Sequence, residues 1–192
     1  MKHPMNDKRR ASASRFLVVA LMAGAVVAAS TGTAGAVQLI PSLGFTKSTE
    51  SNAGDGKFNA GLALRAPLLP FLSAEGGISY RDESLSNGDV TVRMWPVTAS
   101  LWLTPVPMVY AGGGLGWYRT SYDYNNDLPF ENTTTNDVGI HLGGGVAVPL
   151  APTLGLDLNG RYIFMQENNN VQLPTEFDPG FWSLSLGLAI QL

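Results

Sequence analysis

From residue 37 onward, apolar and polar residues alternate nearly one for one. In 181–192 the even positions are Trp182, Leu184, Leu186, Leu188, Ile190 and Leu192, while the odd ones include Ser183, Ser185, Gly187, Ala189 and Gln191. A period of two sends successive side chains to opposite faces of an extended strand, so this segment has one apolar face and one small or polar face. No stretch after residue 37 sustains the i, i+3, i+4, i+7 spacing of an amphipathic helix.

The same reading gives seven further strands. Their apolar faces carry Leu39, Leu43 and Phe45 in 37–46; Phe58, Leu62 and Leu64 in 57–66; Leu72, Ile78 and Tyr80 in 71–81; Val109, Leu115 and Trp117 in 107–120; Val138, Ile140, Leu142, Val146 and Val148 in 137–148; and Leu154, Leu156, Leu158, Tyr162 and Phe164 in 153–166. In 89–103 the apolar phase switches from Val90, Val92 and Met94 to Val97, Ala99, Leu101 and Leu103. A bulge at Pro96 is the expected cause, since proline cannot donate to a ladder.

The connections alternate as well. Pro67 to Pro70, Thr104 to Pro107 and Pro149 to Pro152 mark tight turns, whereas 47–56, 82–88, 121–136 and 167–179 are longer and polar. An even number of antiparallel strands with short turns at one end and long loops at the other is the plan of an outer-membrane barrel.

The segment ahead of these strands has a different character. Lys2, Lys8, Arg9, Arg10 and Arg15 precede an apolar run over 16–29, and Ala34-Gly35-Ala36 fits a small-residue cleavage pattern. The run is short for a membrane-spanning helix, so residues 1–36 are expected to be a signal peptide and 37–192 the barrel domain. Five of the 12 basic residues and one of the 15 acidic ones fall in that leader, so the remaining chain is acidic.

Charge placement then decides which face meets which solvent. Among the acidic residues beyond the leader, only Glu75 and Asp157 fall well inside predicted strands. A soluble barrel would decorate its outer face with Lys and Glu. Here the face opposite the apolar one is Gly-, Ala- and Ser-rich, so the large apolar face is expected to meet lipid, with barrel closure satisfying every backbone group. Phe45, Phe58, Tyr80, Trp117, Tyr162, Phe164 and Trp182 lie toward the long-loop ends and Trp102 near a short turn, as in an interfacial aromatic girdle.

The last eight residues carry a more specific signal. Ser185, Gly187, Ile190 and the terminal Leu192 stand in the spacing of an outer-membrane insertion signal, with leucine where phenylalanine is usual. On this motif, the eight-strand plan and the Gly-rich strand Tyr110 to Tyr118, residues 37–192 resemble the small outer-membrane barrels typified by outer membrane protein A, outer membrane protein X and the opacity proteins. The resemblance implies an all-β, eight-stranded antiparallel up-and-down transmembrane barrel in the bacterial outer membrane, surrounded by its lipids and lipopolysaccharide. It also implies recognition of the C-terminal strand by the barrel assembly machinery, and a structural, adhesive or surface-interaction role through the loops, which would meet any extracellular ligand.

No residue is assigned a catalytic, cofactor-binding or metal-binding role. Gly112-Gly113-Gly114-Leu115-Gly116 lacks both the following helix and the Lys-Ser/Thr ending of a phosphate loop, and reads instead as room for Tyr110, Tyr118, Arg93 and Arg161 inside a narrow barrel. Asp123, Asn125 and Asp127 begin like a calcium loop, but Leu128 and Thr134 replace the required Gly and Glu. His141 is the lone histidine after the leader. Lipid A deacylase barrels pair a His with a Ser close by on one strand face, whereas the residue two places on is Gly143. A membrane-embedded hydrolase or acyltransferase therefore stands as the rival reading, with a narrow solute channel beside it. Arg65, Arg93 and Arg161 share the predicted interior with Glu75 and Asp157, and buried charges persist only when paired, so an ion-pair network plugging the lumen is expected. The net charge of -3 offers no footprint for nucleic acid.

Overall fold

The computed structural model describes residues 36–49, 56–85, 90–124, 133–165 and 180–192. The leader read over 1–36, save its last residue, parts of the loops read over 47–56, 82–88 and 121–136, and all of 167–179 lie outside the described residues. The strands are β1 (Gln38–Ser48), β2 (Lys57–Leu69), β3 (Leu72–Leu85), β4 (Val90–Val106), β5 (Val109–Tyr124), β6 (Thr133–Ala151), β7 (Leu154–Met165) and β8 (Phe181–Gln191). Each pairs antiparallel with the next, and β8 returns to β1 through partners such as Leu39↔Ile190 and Phe45↔Leu184, closing the barrel.

The alternation sets the two surfaces. Phe45, Leu115, Leu142 and Trp182 are among many large apolar side chains that stand exposed on the outside. Such a wall is stable only against hydrocarbon, and closure leaves no strand edge to be desolvated unpaired. Inside, Met94, Tyr118, Ile163 and Phe181 form a small apolar cluster toward the long-loop end.

The three short connections are two-residue turns, bracketed by the pairs Leu69↔Leu72, Val106↔Val109 and Ala151↔Leu154. Each has a register shift beside it, between Pro67 and Leu69, Leu103 and Val106, and Pro149 and Ala151. Proline as the first turn residue imposes a negative φ, excluding the turn types whose twist matches a hairpin, and an adjacent irregularity absorbs the mismatch. At Pro107-Met108 the second residue takes φ 71°, as a type II turn requires.

Strand β4 corrects the expected bulge. β4 and β5 stay in register through Trp95↔Arg119, Pro96↔Tyr118 and Val97↔Trp117. On the other side the β3–β4 ladder lapses between Ile78↔Val97 and Arg81↔Met94, skipping two residues on each strand, so no residue is inserted. Pro96 removes a donor without shifting phase. Val92 and Met94 therefore point into the lumen, and Trp95 points out beside Tyr80, with ring centroids 4.7 Å apart. Arg93 consequently lies on the outer face, exposed, and not in the interior network where it was expected. Trp102 is also corrected: it is fully buried in the lumen and takes no part in an outer girdle. Apolar residues occupy both faces of β4 near Pro96 because the outer end of the lumen is itself apolar, which is why alternation misplaced the phase.

Candidate functional site in the barrel lumen

The lower lumen is crossed by a continuous polar network. Arg65 and Glu75 are direct cross-strand partners on β2 and β3, and the Arg65 Nε donates to Glu75 Oε2 at 2.9 Å. Arg65 NH1 donates across the barrel to Asp157 Oδ2 on β7 at 2.7 Å. Arg161, also on β7, donates through NH2 to the second oxygen of Glu75 at 2.6 Å and through Nε to Asn159 Oδ1 at 2.6 Å. The Tyr110 hydroxyl donates to Asp157 Oδ1 at 2.7 Å and accepts from the Asn159 amide at 3.0 Å. The Arg65 guanidinium lies 4.4 Å over the Tyr110 ring, and that of Arg161 5.1 Å over Trp102.

Two guanidinium groups thus meet two carboxylates, and the cluster is neutral. Charges this deeply buried are tolerated only when paired and hydrogen-bonded, and each of these four is paired. Arg65, Arg161, Glu75 and Asp157 come together as the sequence suggested, and Arg93 does not. Tyr110 and Asn159, which complete the network, shared the same interior face in the sequence pattern, and that shared face was the available signal for them.

Glycine makes this filling possible. The Tyr118 ring folds over Gly116, where an added methyl would lie 2.6 Å from ring and hydroxyl atoms, and over Gly139 of the neighbouring strand. Tyr110 covers Gly145 in the same way, and the Arg161 side chain passes Gly143. The glycines of the rejected phosphate loop are paired residues of β5, and Gly112, Gly114 and Gly116 lie on its lumen face.

His141 has a partner that local sequence could not reveal. Its Nε2 lies 2.8 Å from Ser100 Oγ on β4, and His141 is fully buried. Its Nδ1 has no hydrogen-bond partner among the described residues, and neither has the buried Tyr118 hydroxyl. Both residues line a lumen cavity of about 90 Å³ together with Glu75 and Arg161, and Arg81, Pro96 and Phe181 line it farther along. Arg81 lies 4.7 Å over the Phe181 ring and donates to Thr46 Oγ1 at 3.3 Å.

On the outer surface, Phe45 and Phe58 meet edge to face at 6.0 Å, and Tyr162 contacts both Phe164 and Trp182. These clusters sit toward the long-loop ends, at the level of a membrane interface. The C-terminal strand closes the wall, with Gly187 opposite Ser42 of β1 and Asp157 of β7, and Ile190 opposite Leu39 and Leu154. Of the calcium-like stretch, Asp123 is paired in β5 and Thr134 in β6, while 125–132 lie outside the described residues. No group of three or more His, Asp or Glu residues suited to a metal occurs among the described residues.

The sequence over 16–189 matches the family described as outer membrane protein beta-barrel domain. The chain belongs to that family. It is a protein of the bacterial outer membrane, built as a closed eight-stranded barrel. Among solved structures it is similar to Neisserial surface protein A, with 18% identity over 81% of this chain and 97% of that one and a TM-score of 0.65. It is likewise similar to Ail, the attachment invasion locus protein of Yersinia pestis, with 12% identity over 83% of this chain and 100% of that one and a TM-score of 0.58. Ail in complex with the heparin analogue sucrose octasulfate aligns with 15% identity over 83% of this chain and 100% of that one, at a TM-score of 0.56. Identities this low show a common fold. No curated protein matches the sequence.

Proposed function

We propose that this outer-membrane barrel is a non-enzymatic envelope protein with a sealed lumen, acting through the four loops at its outer end in envelope integrity or surface interaction. The neutral Arg65–Glu75–Arg161–Asp157 network carries this reading, because it ties β2, β3 and β7 together across the space a solute would need. Eight strands enclose an interior only wide enough for side chains, and these side chains fill its lower half.

The stretches read as loops concentrate acidic residues, Asp127 and Glu131 among them. The sucrose octasulfate bound to Ail is a polyanion; acidic loops favour cationic partners, or divalent ions bridging them to lipopolysaccharide phosphates. Strand β8 with the following Leu192 is the segment we assign to recognition by the barrel assembly machinery.

The rival enzymatic reading draws on Ser100 and His141, a nucleophile and base within hydrogen-bonding distance. Both are buried on the lumen side, whereas lipid acyl chains lie against the opposite face. Planar-bilayer recording tests the sealed barrel: the expected trace is silent, and sustained nanosiemens steps would overturn the reading. His141→Ala should leave the lipid A acylation pattern of the expressing cell unchanged, and an altered pattern would favour the enzyme.

A further inference from the structure

The end of the barrel that carries the short turns is apolar to its tips. Residues 66–74, 94–118 and 138–156 contain no Lys, Arg, Asp or Glu, so all three turns and the strand ends beside them are uncharged. Leu69, Val106 and Leu150 stand exposed at the strand ends, and Phe71 and Met108 stand exposed in the turns themselves. Turns that project into water are ordinarily built from Gly, Asn, Asp and Ser, which suit the turn dihedrals and hydrate readily. Met108 holds φ 71°, in the left-handed region that favours glycine. What methionine adds there is a flexible apolar side chain.

The height of the wall places these turns. Tyr80, Trp117 and Tyr162, toward the long-loop end, each stand nine residues from the second residue of a turn, Phe71, Met108 and Thr153. At about 3.3 Å per residue and a strand tilt of about 40°, that spacing is a height of about 23 Å. The apolar band of an outer-membrane barrel is about 25 Å tall, so the turn tips reach its far edge without clearing it. With Trp102 turned into the lumen, Phe71 is the one exposed aromatic ring at this end among the described residues, at the level of an inner girdle.

Backbone polar groups cannot be left unpaired against lipid, and the turns leave few. Pro70, Pro107 and Pro152 open the three turns, and Pro67, Pro105 and Pro149 stand shortly before them, all without an N–H. The carbonyl of the second turn residue is taken in every case by the strand that follows the hairpin. Phe71 O accepts from Thr104 N at 2.9 Å, Met108 O from Ala147 N at 2.7 Å and Thr153 O from Gln191 N at 2.9 Å. We propose that this rim is a lipid-binding surface, its three proline turns lying in the phospholipid leaflet on the periplasmic side with the Phe71 and Met108 side chains among acyl chains at the headgroup boundary. The surface is continuous with the lipid-facing wall through Leu69, Val106 and Leu150, and it offers no charge to an aqueous partner.

The chain has no cysteine, so Phe71→Cys and Met108→Cys can each carry a single environment-sensitive fluorophore, with Leu186→Cys on the wall as the control. Each labelled full-length barrel is folded into vesicles of phosphatidylcholine, with the heat-modifiable gel shift confirming the fold, and compared in vesicles of the same lipid brominated at one depth of its acyl chains. Both turn labels are expected to lose fluorescence to bromine, most strongly when it lies near the headgroup, whereas the Leu186 label should be quenched most by bromine deep in the chain. A label at either turn that brominated lipid leaves unchanged, while Leu186→Cys is quenched, would put the rim in water as a surface for a periplasmic protein, and the proposal fails.

Discussion

Glu75 on β3 and Arg161 on β7 meet across the lumen at 2.6 Å, although neither their separation along the chain nor any strand pairing brings them together. Glu75 holds Arg65 with its other oxygen, so one carboxylate bridges two cations. Replacing it with glutamine keeps the shape but leaves the two guanidinium groups with one carboxylate in the network, Asp157, which pairs with Arg65. Glu75→Gln should destabilise the barrel by about 3–5 kcal/mol, the usual cost of removing one partner from a buried pair. The urea midpoint of the unboiled, faster-migrating band on gels should fall accordingly. A midpoint unchanged from wild type would mean the network contributes nothing to stability.

The phase of β4 can be read directly because the chain contains no cysteine, so single cysteines can be introduced without background. A spin label at Trp95→Cys should be quenched by lipid-soluble oxygen, and one at Met94→Cys should be shielded. The same contrast should hold between Arg93, outside, and Val92, inside. An inverted pattern would restore the bulge at Pro96.

Packing of aromatic rings on glycine predicts a coupled effect. Gly116→Ala places a methyl against the Tyr118 ring and hydroxyl, an overpacking that should cost about 1–3 kcal/mol. Because Tyr118 supplies the nearest atoms, most of that cost should vanish in a Tyr118→Ala background. A double-mutant cycle by urea unfolding measures the coupling, and additive effects would show that the ring does not occupy this space.

The outer wall should be sensitive to charge according to depth. Leu186 faces out at mid-strand between Leu43 and Leu158. Leu186→Arg should cost about 2–4 kcal/mol when the bilayer midplane surrounds it. Ser185→Ala, on the lumen face, should change stability little. Reversible unfolding in lipid vesicles compares the two, and an equal effect would contradict lipid contact at Leu186.

Strand count, the two faces of most strands and the short and long connections were legible from period-two alternation, proline-marked turns and charge placement. Those features are local, and a lipid-facing wall writes them into nearly every strand. The membership of the interior network was also legible in part, because Glu75 and Asp157 are so rare within strands. Alternation failed at β4, where Val92, Met94, Trp95 and Val97 are apolar on both faces; there the choice rests on what fills the lumen. The pairing of Ser100 with His141, and of Arg65 with Asp157, joins residues distant in sequence. Which inward residues meet is decided by closure and strand stagger, which set the height of each strand against the others. By itself the sequence determined a closed wall with a polar inside; only the tertiary structure decided which charges, hydroxyls and rings share a level within it.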